Sequence, residues 1–106
     1  MAKFLLCASY TVEGIKGVLK EGGTSRRAAA QKAVESVGGR LEAFYYAFGK
    51  DDAYVIVDVA DNASAAALSM TIGATGAVRV RTIALVTPEE IDKAAKASVS
   101  YRAPGA

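Results

Sequence analysis

A chain of 106 residues with a formal net charge of +2 has room for one domain and carries too little basic charge to argue for a nucleic-acid partner. Histidine is absent, which removes the commonest general base, the Ser–His and Cys–His nucleophile pairs and histidine metal sites. A single cysteine, Cys7, excludes an intrachain disulfide, and no apolar run approaches the roughly 18 residues of a membrane-spanning helix, so a cytoplasmic location is the default expectation.

Residues 3–11 form a short apolar run that predicts the first strand, with Phe4, Leu6, Ala8 and Tyr10 on one face and Leu5, Cys7, Ser9 and Thr11 on the other. Cys7 reads there as a small buried hydrophobe rather than a reactive thiol. Val12, Ile15, Val18 and Leu19 then fall at helical spacing, in a helix that stops at Gly22-Gly23. Thr24 or Ser25 is expected to cap a second helix over residues 25–37, with Ala29, Ala30, Ala33, Val34 and Val37 as its apolar stripe. Gly38-Gly39 ends it, because glycine accepts the left-handed C′ geometry.

Residues 40–48 predict a second strand and residues 53–60 a third, joined by the Gly49-Lys50-Asp51-Asp52 turn as an antiparallel hairpin. Asp61 or Asn62 caps an alanine-rich helix over residues 63–72, and residues 77–86 predict a fourth strand. In that strand Val78, Val80, Thr82 and Ala84 alternate with Arg79, Arg81, Ile83 and Leu85. Thr87-Pro88-Glu89-Glu90 has the capping-box pattern and opens a last helix running to about residue 97, which leaves 98–106 as a flexible tail after a domain over 1–97.

This order is strand, helix, strand, strand, helix, strand. It predicts an α+β, ferredoxin-like fold: a four-stranded antiparallel sheet with helices on one face, plus a C-terminal helix. The core is thin, since 22 of the residues are alanine. One sheet face stays uncovered, and its mixture of apolar and charged residues predicts that a second copy covers it, as a homodimer or higher oligomer.

At residues 49–61 the sequence resembles the GYD domain family of small bacterial proteins. The carriers are Gly49-Lys50-Asp51-Asp52 and Asp58-Val59-Ala60-Asp61, supported by Tyr10 to Lys16, Gly38-Gly39-Arg40-Leu41 and Thr82 to Glu90. Asp51 stands where the family has tyrosine, and Ala60 where it has proline. The resemblance spans residues 3–93 and implies a dimeric α/β barrel of ferredoxin-like fold; the family brings no established chemistry.

The residues that could carry function are few. Asp58 interrupts an apolar strand, where a carboxylate is costly unless paired. It predicts either an interface charge paired with Arg79 or Arg81 of a partner subunit, or an acid/base with a raised pKa. Arg79 and Arg81 lie two apart on one strand face and could together hold an anion. Tyr10, Tyr45, Tyr46 and Tyr54 could line a cavity between sheet and helices. Asp51-Asp52 reads as turn chemistry rather than a cation site, and Lys16 and Lys20 as a solvated helix face. Gly14 to Gly17 and Gly73 to Gly76 match no nucleotide-binding loop. The expectation is a homo-oligomeric binding or assembly protein that takes a small organic anion at Tyr10, Tyr46, Asp58, Arg79 and Arg81. It involves no metal, cofactor, nucleic acid or membrane. The alternative is a small metal-free, nucleotide-free enzyme in which Asp58 moves a proton and Arg79 or Arg81 stabilises charge.

Overall fold

The computed structural model describes residues 1–106. Its elements are β1 (Ala2–Tyr10), α1 (Val12–Glu21), α2 (Gly23–Ser36), β2 (Arg40–Tyr46), β3 (Ala53–Val59), α3 (Asn62–Ala74), β4 (Val78–Leu85) and α4 (Pro88–Lys96). The strands form one antiparallel sheet in the order β2-β3-β1-β4, the ferredoxin-like arrangement.

The alternation along β1, β3 and β4 decides which side the helices cover. Phe4, Leu6, Val55, Val57 and Val59 point to one face and pack with Val34 of α2 and with Ala65 and Leu68 of α3 in a single buried cluster. Strand β2 lacks a clean alternation, and a bulge at Glu42 repairs it: Leu41 pairs with Val57 and Ala43 with Ile56. The extra residue lets Leu41 and Phe44, three apart, both reach the core face.

The caps follow side-chain chemistry where it exists. Asp61 accepts from the Ser64 N–H at the start of α3. At α4 the Thr87 hydroxyl accepts from Glu90 N, and the Glu90 carboxylate accepts from Thr87 N. The hydrogen bond from Thr87 holds the Glu90 carboxyl below its ordinary pKa. Helix α2 departs from expectation. It starts at Gly23, its N-cap is Gly22 at φ 84°, and neither Thr24 nor Ser25 caps it. Glycine reaches that left-handed backbone without strain, so the turn geometry sets the start.

Helix α1 also differs. It faces the protein with Gly14, which is buried against the Ala77 backbone, while Val12, Ile15 and Leu19 point outward. Its apolar stripe is therefore a surface feature and not core.

Candidate functional site

The five residues that sequence reasoning grouped do not meet in one cavity. Tyr10 and Tyr46 belong to the helix side of the sheet; Asp58, Arg79 and Arg81 belong to the open side. Tyr45 and Tyr54 also fall on the open side, paired with each other across β2 and β3. Thr82 goes the other way and shares a 2.6 Å hydrogen bond with Ser69 of α3.

The open face is organised in rows by the strand register. The middle row is apolar: Ala43 pairs with Ile56, Ile56 with Leu5, and Leu5 with Ile83, one residue from each strand. On one side lies Asp58, 5% exposed, where Lys3 and Arg40 converge. Lys3 Nζ donates to Asp58 Oδ1 at 2.9 Å and to Glu42 Oε1 at 3.0 Å, and Arg40 Nη2 donates to Asp58 Oδ2 at 2.7 Å. Within the chain these two cations, and not Arg79 or Arg81, pair with Asp58. Lys3 and Arg40 sit directly opposite Asp58 on the two neighbouring strands. Their hydrogen bonds and charge outweigh its burial, so the Asp58 carboxyl is held below the usual range, with Lys3 the largest cause. An acid/base with a raised pKa is thereby corrected to a stable carboxylate.

On the other side of the apolar row, about 20 Å along β1 from Lys3 to Ser9, lies a second buried carboxylate, Asp51. Arg81 Nη2 donates to its Oδ2 at 2.9 Å, Ser9 Oγ to its Oδ1 at 3.2 Å, and Tyr54 Oη to its Oδ2 at 3.4 Å. Burial pushes the Asp51 carboxyl up, but Arg81 and Ser9 outweigh it and hold it below the ordinary value. Arg79, beside Arg81 on the same face, makes no ion pair. With Cys7 and Ser9 these arginines line a shallow groove over Asp51. Cys7 is 2% exposed, the buried small residue expected.

Sequence reasoning missed Asp51 as a site residue because its position in a Gly-Lys-Asp-Asp turn explained it sufficiently. The two turn carboxylates in fact diverge. Asp52 turns the other way and accepts from the Tyr10 backbone N–H at 2.8 Å, while its own N–H donates to Ala8 O. It fixes the end of β1, and with it the Tyr10 side chain.

That side chain enters an apolar cavity of about 130 Å³ between the sheet and helices α2 and α3. The floor includes Leu6, Val55 and Val57, and the roof Ala30, Ala33 and Leu68. The small residues of α2 leave this space, since alanine fills less of it than leucine would. Tyr10 and Arg26 are the only polar residues lining it. Burial, and then the neighbouring Tyr46, raise the Tyr10 hydroxyl to about 12, so it remains a hydrogen-bond donor at neutral pH. Arg26 Nη1 donates to Glu21 at 3.2 Å from an exposed position. Tyr46 stands beside the cavity, donates to Gly23 O at 3.1 Å and packs edge-on against Phe44, which secures the first turn of α2.

No helix is long and apolar enough to cross a membrane. No curated protein matches the chain. The family model for the GYD domain matches residues 4–95, almost the whole length. On that match the chain belongs to the GYD domain family.

Proposed function

We propose that the protein self-associates through the open face of its sheet, and that each chain keeps its interior cavity for a small organic anion. The observation that carries the first part is the row Ala43–Ile56–Leu5–Ile83 with a satisfied carboxylate on either side. An apolar centre within a polar surround is the composition of a protein interface. Asp51 and Asp58 need nothing from outside, so a second sheet can cover these two carboxylates without stranding either.

The second part rests on the cavity. An apolar space of about 130 Å³ is close to the size that holds one six-membered carbon ring. Arg26 and the protonated Tyr10 hydroxyl supply a cation and a donor for a carboxylate at one end. The anion site thus moves from the arginines of β4 to Arg26 of α2. Asp58, with its depressed pKa and two cationic partners, is a poor proton carrier, and we do not retain the enzymatic alternative.

Benzoate and toluene are the probes. Titrated into isotope-labelled protein, benzoate is expected to shift the methyl signals of Ala30, Ala33 and Leu68 at millimolar concentration. Arg26→Ala is expected to weaken benzoate and leave toluene unchanged. Shifts confined to the exposed surface, or no shift with either probe, would overturn the cavity reading without touching the sheet interface.

A further inference from the structure

Every residue from Pro88 to Ala106 is exposed, and α4 buries no residue against its own chain. The radius of gyration is 16.9 Å, against about 13 Å for a compact domain of this length. The longest dimension is 57 Å and the shortest 22 Å. Helix α4 nevertheless carries a complete capping box, an N-terminal proline, acid in its first turn and lysine in its last. An isolated helix of nine residues is marginal in water. So strong a set of helix signals on a segment with no packing partner points to a surface supplied from elsewhere.

Helix α1 offers such a surface. Val12, Ile15 and Leu19 form an outward apolar stripe, with Lys16 and Lys20 along one edge. On α4 the matching stripe is Ile91, Ala94 and Ala95, and helical spacing places Glu90 and Asp92 on its two edges. Apolar stripe faces apolar stripe, and with the helices antiparallel the Asp92 edge meets the basic one. The chain's own α1 is out of reach. Helix α1 is anchored at the start of β4, where Thr11 N donates to Ala77 O, and α4 leaves from the end of β4. Those ends are about 24 Å apart, α4 itself is about 14 Å long, and the stripe on α1 faces outward.

We propose that α4 of one copy docks antiparallel on α1 of a second copy, with Ile91 seated against Ile15 and Leu19 and with Asp92 drawn to Lys16 and Lys20. This contact goes beyond the sheet-to-sheet interface and does not require it.

The test is disulfide trapping in the full chain. A Leu19→Cys/Ile91→Cys variant, retaining the buried Cys7, is prepared in light and heavy isotope forms, refolded as a mixture and mildly oxidised. The expected product is a bridged peptide joining positions 19 and 91 with mixed isotopes, which only contact between chains can give. A bridge within single chains, or reactive thiols at both positions with no bridge, overturns the proposal, as does α4 trapped on the open sheet face. A charge exchange provides an independent reading. Asp92→Lys, which leaves the Thr87/Glu90 cap intact, is expected to weaken self-association severalfold, and adding Lys16→Glu with Lys20→Glu to restore it. Failure of the second pair to restore association contradicts the docking, whereas loss of the sheet interface alone would leave the trapped bridge intact.

Discussion

Two glycines one turn apart in α1 are expected to respond to alanine with opposite signs. At Gly17 a Cβ would meet nothing within 4 Å. Replacing glycine by alanine inside a helix is worth about 0.8–1 kcal/mol, so Gly17→Ala should stabilise by about that amount. At Gly14 a Cβ would lie 2.0 Å from Ala77 O, 2.9 Å from Ala77 C and 3.1 Å from Tyr10 Cδ1. The first of these is a backbone atom that no rotamer change can remove. Helix α1 would have to retreat by more than an ångström, and the bonds from Thr11 N and Thr11 Oγ1 to Ala77 O, at 3.0 and 3.2 Å, would stretch with it. Overpacking costs about 1–3 kcal/mol and each lost hydrogen bond about 0.5–1.5 kcal/mol. Set against the same gain in propensity, the net loss for Gly14→Ala is about 1–5 kcal/mol, or a melting temperature lower by roughly 5–25 °C. Urea unfolding followed by circular dichroism, at one fixed protein concentration, measures both variants on the same scale. If Gly14→Ala stabilised as much as Gly17→Ala, the close seating of α1 on the β4 entry would be refuted.

Other expectations follow from the core and the charges. Leu68, buried and lining the cavity, should cost about 2–5 kcal/mol on replacement by alanine, read as a lower urea midpoint, and should enlarge the cavity enough to strengthen toluene binding. Asp58 has a folded-state pKa below its ordinary value of 3.8. Its contribution to stability is therefore complete above that value and is lost as the pH falls through the lower folded-state value. Asp58→Asn should flatten the acid side of the stability profile and leave its slope near neutrality unchanged, which urea midpoints across acid pH would show. Arg81→Ala removes the cation holding the Asp51 carboxyl down, so that group should titrate at higher pH when followed by carbonyl carbon resonance; an unchanged titration would mean that Ser9 and Tyr54 hold it alone.

Much of the fold was legible because it depends on local signals. The period-two alternation of β1 and β4, the Asp61 cap and the Thr87/Glu90 box each act within a few residues, and the structure has each of them; the hairpin forms too, but β2 ends at Tyr46 and the connection runs over residues 47–52. What was not legible depends on register or on competition between elements. The Glu42 bulge arises where an irregular strand must bring both Leu41 and Phe44 onto the core face. The pairing of Lys3 with Asp58 within the chain joins residues 55 positions apart, a consequence of strand order and not of spacing. Asp51 was passed over because a turn explains an aspartate well enough, and only the fold brings Arg81 to it. The stripe of Val12, Ile15 and Leu19 carries the same periodicity as a core-facing helix. Its outward orientation is decided by Gly14, whose missing side chain lets the opposite face of α1 approach the sheet more closely.

The central claim is that a second copy covers the open sheet face, and the mass of the intact assembly tests it most directly. Native mass spectrometry of the full chain at micromolar concentration should give a multiple of the 10.9 kDa chain mass, and replacing Ile56, at the centre of the apolar row, with aspartate should reduce it. A single species at one chain mass, unaffected by that replacement, would contradict the account.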